Sequence, residues 1–171
     1  RGRASVGGNL CNASPAADSV PPMIAAAAVA NIIGPNGSRD IPVEEVIIKP
    51  GQTSLSEGEI IVSFQLPNRP PKSGDAYLRF TPRTEMDIAV VGVAINLTLN
   101  DEGICDSARV TLGAVAPTPI LDINAAKTLI GTKLDVKAIE NLASAVKKSC
   151  SPIDDKRGTI EFREDVVGVL A

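Results

Sequence analysis

Eight residues near the middle of the chain, Pro67-Asn68-Arg69-Pro70-Pro71-Lys72-Ser73-Gly74, hold three prolines and a glycine and predict a break between sheets. Each proline lacks an N–H and fixes its own φ, and the glycine brings no side chain to pack. The stretch divides the chain near residue 71 into two pieces, 1–70 and 71–171. A length of 171 residues suits one ordinary domain or two small ones, and 44% apolar residues suffice for a packed core.

The two pieces carry different patterns. In the first, Asp18 or Ser19 can cap a helix with Pro21 and Pro22 in its first turn, continued by Met23 to Ala28. Val29 to Ile33, the turn Gly34-Pro35-Asn36-Gly37-Ser38 and Arg39 to Pro42 then read as a hairpin. Pro42 to Val46 reads as a helical turn before an extended Ile47-Ile48, and Glu59 to Leu66 is β-prone. In the second piece Ala76–Thr81, Met86–Leu99 and Ile104–Ala114 read as strands, with Asn100-Asp101-Glu102-Gly103 closing a hairpin. Val90 to Ala94 is apolar on both faces, which predicts a central strand. Three helices follow. The first covers about 122–130, and the second is capped by Asp135 with Val136, Ile139, Leu142, Ala143 and Val146 at helical spacing. The third is capped by Thr159 and buries Ile160, Phe162, Val166, Val167 and Leu170. Strands first and helices late give an α+β class with an antiparallel sheet.

Composition removes several functions. Seventeen basic and 20 acidic residues form no basic block, and one Tyr, three Phe and no Trp leave little to stack on bases, so nucleic acid is set aside. The apolar run Met23–Ile33 is interrupted by Asn31 and is too short to span a membrane. The absence of His excludes His-based triads, His metal sites and a His general base. Three scattered cysteines do not make a thiolate metal site, and their odd number points to reduced thiols in the cytoplasm.

What remains is the segment Ser5-Val6-Gly7-Gly8-Asn9-Leu10-Cys11-Asn12-Ala13-Ser14-Pro15-Ala16-Ala17-Asp18. Glycines let backbone N–H groups approach a bulky anion such as a pyrophosphate, Asn and Ser supply short hydrogen bonds, and a carboxylate suits a sugar hydroxyl. The expectation is a nucleotide cofactor held by loop backbone. A bare glycine pair is more often a simple turn, and this one follows neither the Rossmann spacing nor a Walker loop. Asp18 has a second reading as a helix cap. Arg79, Arg83, Glu85 and Asp87 have a second reading as a solvated loop.

Ser5 to Asp18 resembles the second glycine-rich FAD loop of the flavoprotein subunits of molybdenum hydroxylases, the xanthine dehydrogenase and carbon monoxide dehydrogenase family. Gly58-Glu59-Ile60-Ile61, Tyr77 to Ala89 and Gly158 to Arg163 resemble it in the same order, so the likeness covers the chain. It implies the C-terminal half of a PCMH-type FAD-binding domain in 1–70 and a flavoprotein C-terminal domain in 71–171. It also implies that Ser5, Gly7, Gly8 and Asn9 hold the pyrophosphate, with Asn12 and Ser14 as secondary contacts. Asp18 then reaches the ribose region, Ile61 packs near the isoalloxazine ring, and Arg79 lies near the flavin. The family has Lys at that last position; Arg keeps the charge but cannot lose its proton.

The implied partners are a molybdopterin-containing large subunit that hydroxylates the substrate and a [2Fe-2S] small subunit that passes electrons to FAD. A preceding lobe with another glycine-rich loop is also implied, and this sequence carries no such loop. The rival expectation is a flavin-free docking module that holds the partner subunits together.

Overall fold

The computed structural model describes residues 4–83 and 87–171. The chain begins with α1 (Val6–Cys11) and α2 (Val20–Ala25). Next come β1 (Val29–Gly34), β2 (Gly37–Pro42), a 3-10 turn at Val43–Glu45, β3 (Ile47–Lys49), β4 (Gln52–Thr53) and β5 (Ile60–Gln65). After an irregular stretch through the prolines, β6 (Ser73–Phe80), β7 (Val91–Leu99), β8 (Cys105–Gly113) and β9 (Ile120–Leu121) follow. The chain closes with α3 (Ile123–Leu129), α4 (Val136–Ser149) and α5 (Ile160–Leu170).

All strand pairs are antiparallel, in sheets of order β2-β1-β5, β3-β4 and β6-β7-β8-β9. The architecture is α+β. The Val90–Ala94 run lies at the start of β7, buried and flanked by β6 and β8 as its two-sided apolar pattern requires. At the β7–β8 turn the Asn100 Oδ1 accepts the Glu102 and Ile104 N–H groups at 3.0 and 2.9 Å. Asp122, Asp135 and Thr159 cap α3, α4 and α5, each accepting the N–H three residues on.

Two apolar clusters form. Leu10, Val20, Ile24, Ala30, Val43 and Val46 anchor the first, and Val91, Leu112, Leu129, Leu142, Val146 and Val167 belong to the second. α2 bridges them by packing on β7 and β8. Polar ties reinforce the junction. Arg109 on β8 donates from Nε to the Ile24 carbonyl at 3.0 Å and from Nη2 to Glu44 Oε1 at 2.8 Å. The Ala114 N–H donates to the Pro15 carbonyl at 2.8 Å.

The structure corrects the sequence reading in several places, and one is the proline stretch, whose Ser73 and Gly74 already pair in β6 with Thr98 and Leu97. Residues 6–11 form a helix where a loop was expected. The second helix ends at Ala25 because Ala27 turns to a left-handed φ of 54°. On α4 the buried stripe is Ala138, Leu142 and Val146, leaving Val136 and Ile139 73% and 50% exposed. Two overlapping stripes satisfied helical spacing, sharing Leu142 and Val146, and packing buries the one headed by Ala138. On α5 Phe162 is 40% exposed, stacked edge-on against Phe80 with ring centroids 5.6 Å apart, while its neighbour Arg163 is buried. The expected strand from Met86 also begins later: residues 87–90 are not strand and β7 starts at Val91, while Thr84, Glu85 and Met86 lie outside the described residues. Among the described residues no helix is long and apolar enough to cross a membrane.

Candidate functional site

Glycine is a poor helix former, costing about 1 kcal/mol relative to alanine, so α1 with Gly7 and Gly8 in its first turn needs outside support. Ser5 supplies one part, its Oγ accepting the Gly8 N–H at 3.1 Å. Leu10 supplies another by complete burial in the first cluster. Asn9 supplies a third: its Oδ1 accepts the N–H and the Oγ–H of Ser19, at 3.0 and 2.6 Å. The opening turn of any helix leaves N–H groups without intrahelical acceptors, which here applies to Val6 and Gly7. A Cβ built on Gly7 meets no atom within 4 Å, so no neighbouring side chain crowds that position.

Asn9 leads directly to the next element of the site. Its partner Ser19 adjoins Asp18, whose carboxylate accepts from Arg79 Nη1 at 2.5 Å across 61 residues of sequence. The pair is partly shielded, with side chains 33% and 19% exposed for Arg79 and Asp18. Ser5, Gly7, Gly8, Asn9, Asp18 and Arg79 thus form one continuous row from the start of α1 to β6. Ile61 on β5 packs half-buried against the cluster that contains Leu10. Asn12 is not brought into the row. It caps the opposite end of α1, exposed, its N–H bonded to the Gly8 carbonyl at 3.0 Å. Asp18 does not cap α2; Ser19 occupies that position, and its hydroxyl bonds Asn9 rather than an N–H of the helix.

Three polar features were not anticipated. Arg163 donates from Nη1 to the carbonyls of Val90 and Ala114 at 2.6 and 3.2 Å and from Nη2 to Asp155 at 2.7 Å. A charged residue in the apolar stripe of α5, four positions before Val167, was the signal available for it. Asp87 is no part of a solvated loop: its carboxylate is almost fully covered and faces Arg83 and Arg157 at 3.5 and 3.8 Å. Near these charges a pocket of about 300 Å³ opens between the Pro15-Ala16 loop, Ile88, Ala114 and Pro152. It shares no residue with the row that begins at Ser5.

The third feature is a fork. Arg39 on β2 donates from Nε and Nη2 to the two carboxylate oxygens of Glu59, both at 2.8 Å. The fork and the Ser56 N–H hold the Glu59 carboxyl at about 2, below its ordinary 4.5. A lowered folded pKa contributes stability that is complete above the unfolded value and lost as pH falls through the folded one. For this pair the window runs from about pH 4.5 down to about pH 2. Acid unfolding followed by circular dichroism across that window is expected to be shallower in Glu59→Gln, and superimposable curves would exclude the pair as a source of acid sensitivity.

Comparison with known proteins agrees with this architecture. Residues 76–171 match the CO dehydrogenase flavoprotein C-terminal domain, and residues 1–69 match the FAD binding domain in molybdopterin dehydrogenase. The xanthine dehydrogenase FAD-binding subunit of Escherichia coli O157:H7 is 34% identical over 99% of this chain and 58% of its own length. The carbon monoxide dehydrogenase medium chain of Afipia carboxidovorans is 30% identical over 97% of this chain and 57% of its own. A solved structure of reconstituted CO dehydrogenase from Oligotropha carboxidovorans superposes with a TM-score of 0.93 at 30% identity, covering 99% of this chain and 59% of that one. The chain therefore spans a little under three-fifths of the length of these relatives. FAD is the cofactor of the matched binding domain. Fold, order of domains and relatives agree, and the chain belongs to the family of FAD-binding, or medium, subunits of the xanthine and carbon monoxide dehydrogenases.

Proposed function

We propose that this chain forms one wall of an FAD site in the electron-transfer subunit of a molybdenum hydroxylase. The observation that carries the reading is the unbroken row from the open α1 backbone through Asn9 and Ser19 to the Asp18–Arg79 pair. The row fits such a cofactor because a bare Gly7 backbone and a capped helix start suit a pyrophosphate, while a carboxylate and a guanidinium lie just beyond. When bound, FAD supplies the carrier that accepts and releases electrons. Gly7 and Gly8 give backbone donors, with Ser5 and Asn9 holding that turn in shape. Asp18 takes the ribose region, Ile61 packs against the ring, and Arg79, ion-paired to Asp18, lies near it. Asn12 would be an outer contact.

We assign residues 1–70 to the FAD-binding part and 71–171 to the flavoprotein C-terminal domain. The partners would be a molybdopterin-containing large subunit and a [2Fe-2S] small subunit, with electrons arriving from the clusters. Three free thiols, of which burial pushes Cys150 up to about 11, suit the cytoplasm.

The test is an FAD titration of the full-length gene product. Saturable quenching of flavin fluorescence with a rise in melting temperature is expected. A well-folded, colourless protein whose melting temperature does not move at saturating FAD would overturn the reading in favour of a flavin-free docking module.

A further inference from the structure

We infer that Arg39 and Glu59, acting with a β-bulge at Val62, hold Ile61 against the Leu10 cluster, the place from which it would meet the cofactor. The inference rests on the reading of Ile61 given above and adds the positioning residues behind it.

The register of β5 on β1 carries the first half of the argument. Ala30 pairs with Phe64 and Asn31 with Ser63, but Ile32 pairs with Ile61, so Val62 has no partner of its own. Phe64 and Ile61 both face the cluster around Leu10, although they stand three residues apart. In a regular strand an odd spacing puts two side chains on opposite faces. The single extra residue resets the alternation and turns Ile61 inward, as bulges beside functional sites do elsewhere.

Beyond the bulge only two pairs remain, Ile32 with Ile61 and Ile33 with Ile60. The ladder at this strand end is short, and the Arg39 fork to Glu59 adds two further bonds to it. Arg39 stands opposite Ile32 on β2, and Ile32 stands opposite Ile61, so the three residues form one row across the sheet. From that row the guanidinium grips Glu59, two residues before Ile61, and also donates to the Ser54 carbonyl at 3.0 Å. The Ser56 N–H adds a bond to Glu59 Oε2 at 2.7 Å. Close packing completes the clamp. A Cβ on Gly34 would come within 2.6 Å of Glu59 Cγ, and Gly58 turns the chain at a φ of 80° that favours glycine. The approach to Ile61 is thus fixed from the hairpin on one side and from the 54–59 loop on the other.

The experiment compares four variants of the full-length gene product in FAD titrations read by flavin fluorescence and by the visible absorption of the bound flavin. Arg39→Met removes the fork while keeping much of the side chain's bulk. It is expected to raise the FAD dissociation constant at least about tenfold and to move the flavin band toward that of free FAD. Arg39→Lys keeps the charge without the fork and should fall between wild type and Arg39→Met; it gives the same reading if Arg39→Met does not fold. Arg109→Met breaks another half-buried Arg–Glu pair of this protein, and it should lower the melting temperature while leaving the flavin band in place. Ile61→Ala tests the underlying reading separately. If Ile61→Ala moves the band and neither Arg39 variant does, the positioning role is wrong. If Ile61→Ala itself changes nothing, the assignment of Ile61 to the site falls and the inference with it.

Discussion

Arg163→Leu is expected to cost about 2–4 kcal/mol of folding stability, the penalty for leaving backbone carbonyls without the donor that satisfies them. Arg163 is 4% exposed, and its guanidinium ties the start of β7 through the Val90 carbonyl, the end of β8 through Ala114, and the loop before α5 through Asp155. Leucine fills much of the volume but leaves the Val90 and Ala114 carbonyls without this donor, while Asp155 keeps the Arg157 N–H at 2.8 Å. Against a total stability on the order of 5–15 kcal/mol, the loss is large enough to read directly in a denaturant titration. Asp155→Asn should cost much less, because the amide oxygen still accepts and the side chain reaches solvent. A change below about 1 kcal/mol in Arg163→Leu would show that these three bonds contribute little net free energy.

Gly7→Asp should separate binding from folding. The position meets nothing within 4 Å of a Cβ and lies in the first turn of α1, where a carboxylate is favoured by about 0.3–1 kcal/mol. Replacing glycine also relieves a helix penalty, so the melting temperature should hold or rise. The same carboxylate would stand beside a bound pyrophosphate. Like charges about 4 Å apart near a protein surface repel by roughly 4 kcal/mol, so FAD affinity should drop at least about a hundredfold. Fluorescence titration and thermal melting of one sample read both quantities. Unchanged affinity would remove α1 from the cofactor site. Gly8→Ala is the poorer probe, since its methyl would lie 2.8 Å from Ser5 Oγ and disturb the cap as well.

The sequence carried local instructions well and long-range ones poorly. Asn100, Asp135 and Thr159 act within a few residues of themselves, so their turn and caps could be read directly. The apolar run Val90–Ala94 announced a central strand for the same reason: burial on two faces leaves no polar alternation. α1 was hidden because its two glycines lower helix propensity, while the side chains that stabilise it, Leu10 and Asn9, act through tertiary partners. The exposed Val136 and Ile139 have an equivalent cause, since only packing decides which of two overlapping stripes is buried. Of the candidate site, the residue types were legible and their adjacency was not. Nothing local links Asp18 to Arg79, and nothing local shows that Val62 is skipped in the ladder or that Arg39 reaches Glu59.

The Asp18–Arg79 contact joins a segment that precedes α2 to a strand that follows the proline break, so it belongs both to the row and to the seam between the two apolar clusters. Any molecule that draws either side chain away from the other also slackens that seam. Reciprocity then applies: whatever stiffens the seam, including a neighbour that clasps both sides, must change the affinity of the row by the same factor that occupancy of the row changes the clasp. An ion pair at a surface is worth little as a fastening, yet this partly shielded one would make occupancy and assembly two readings of one equilibrium.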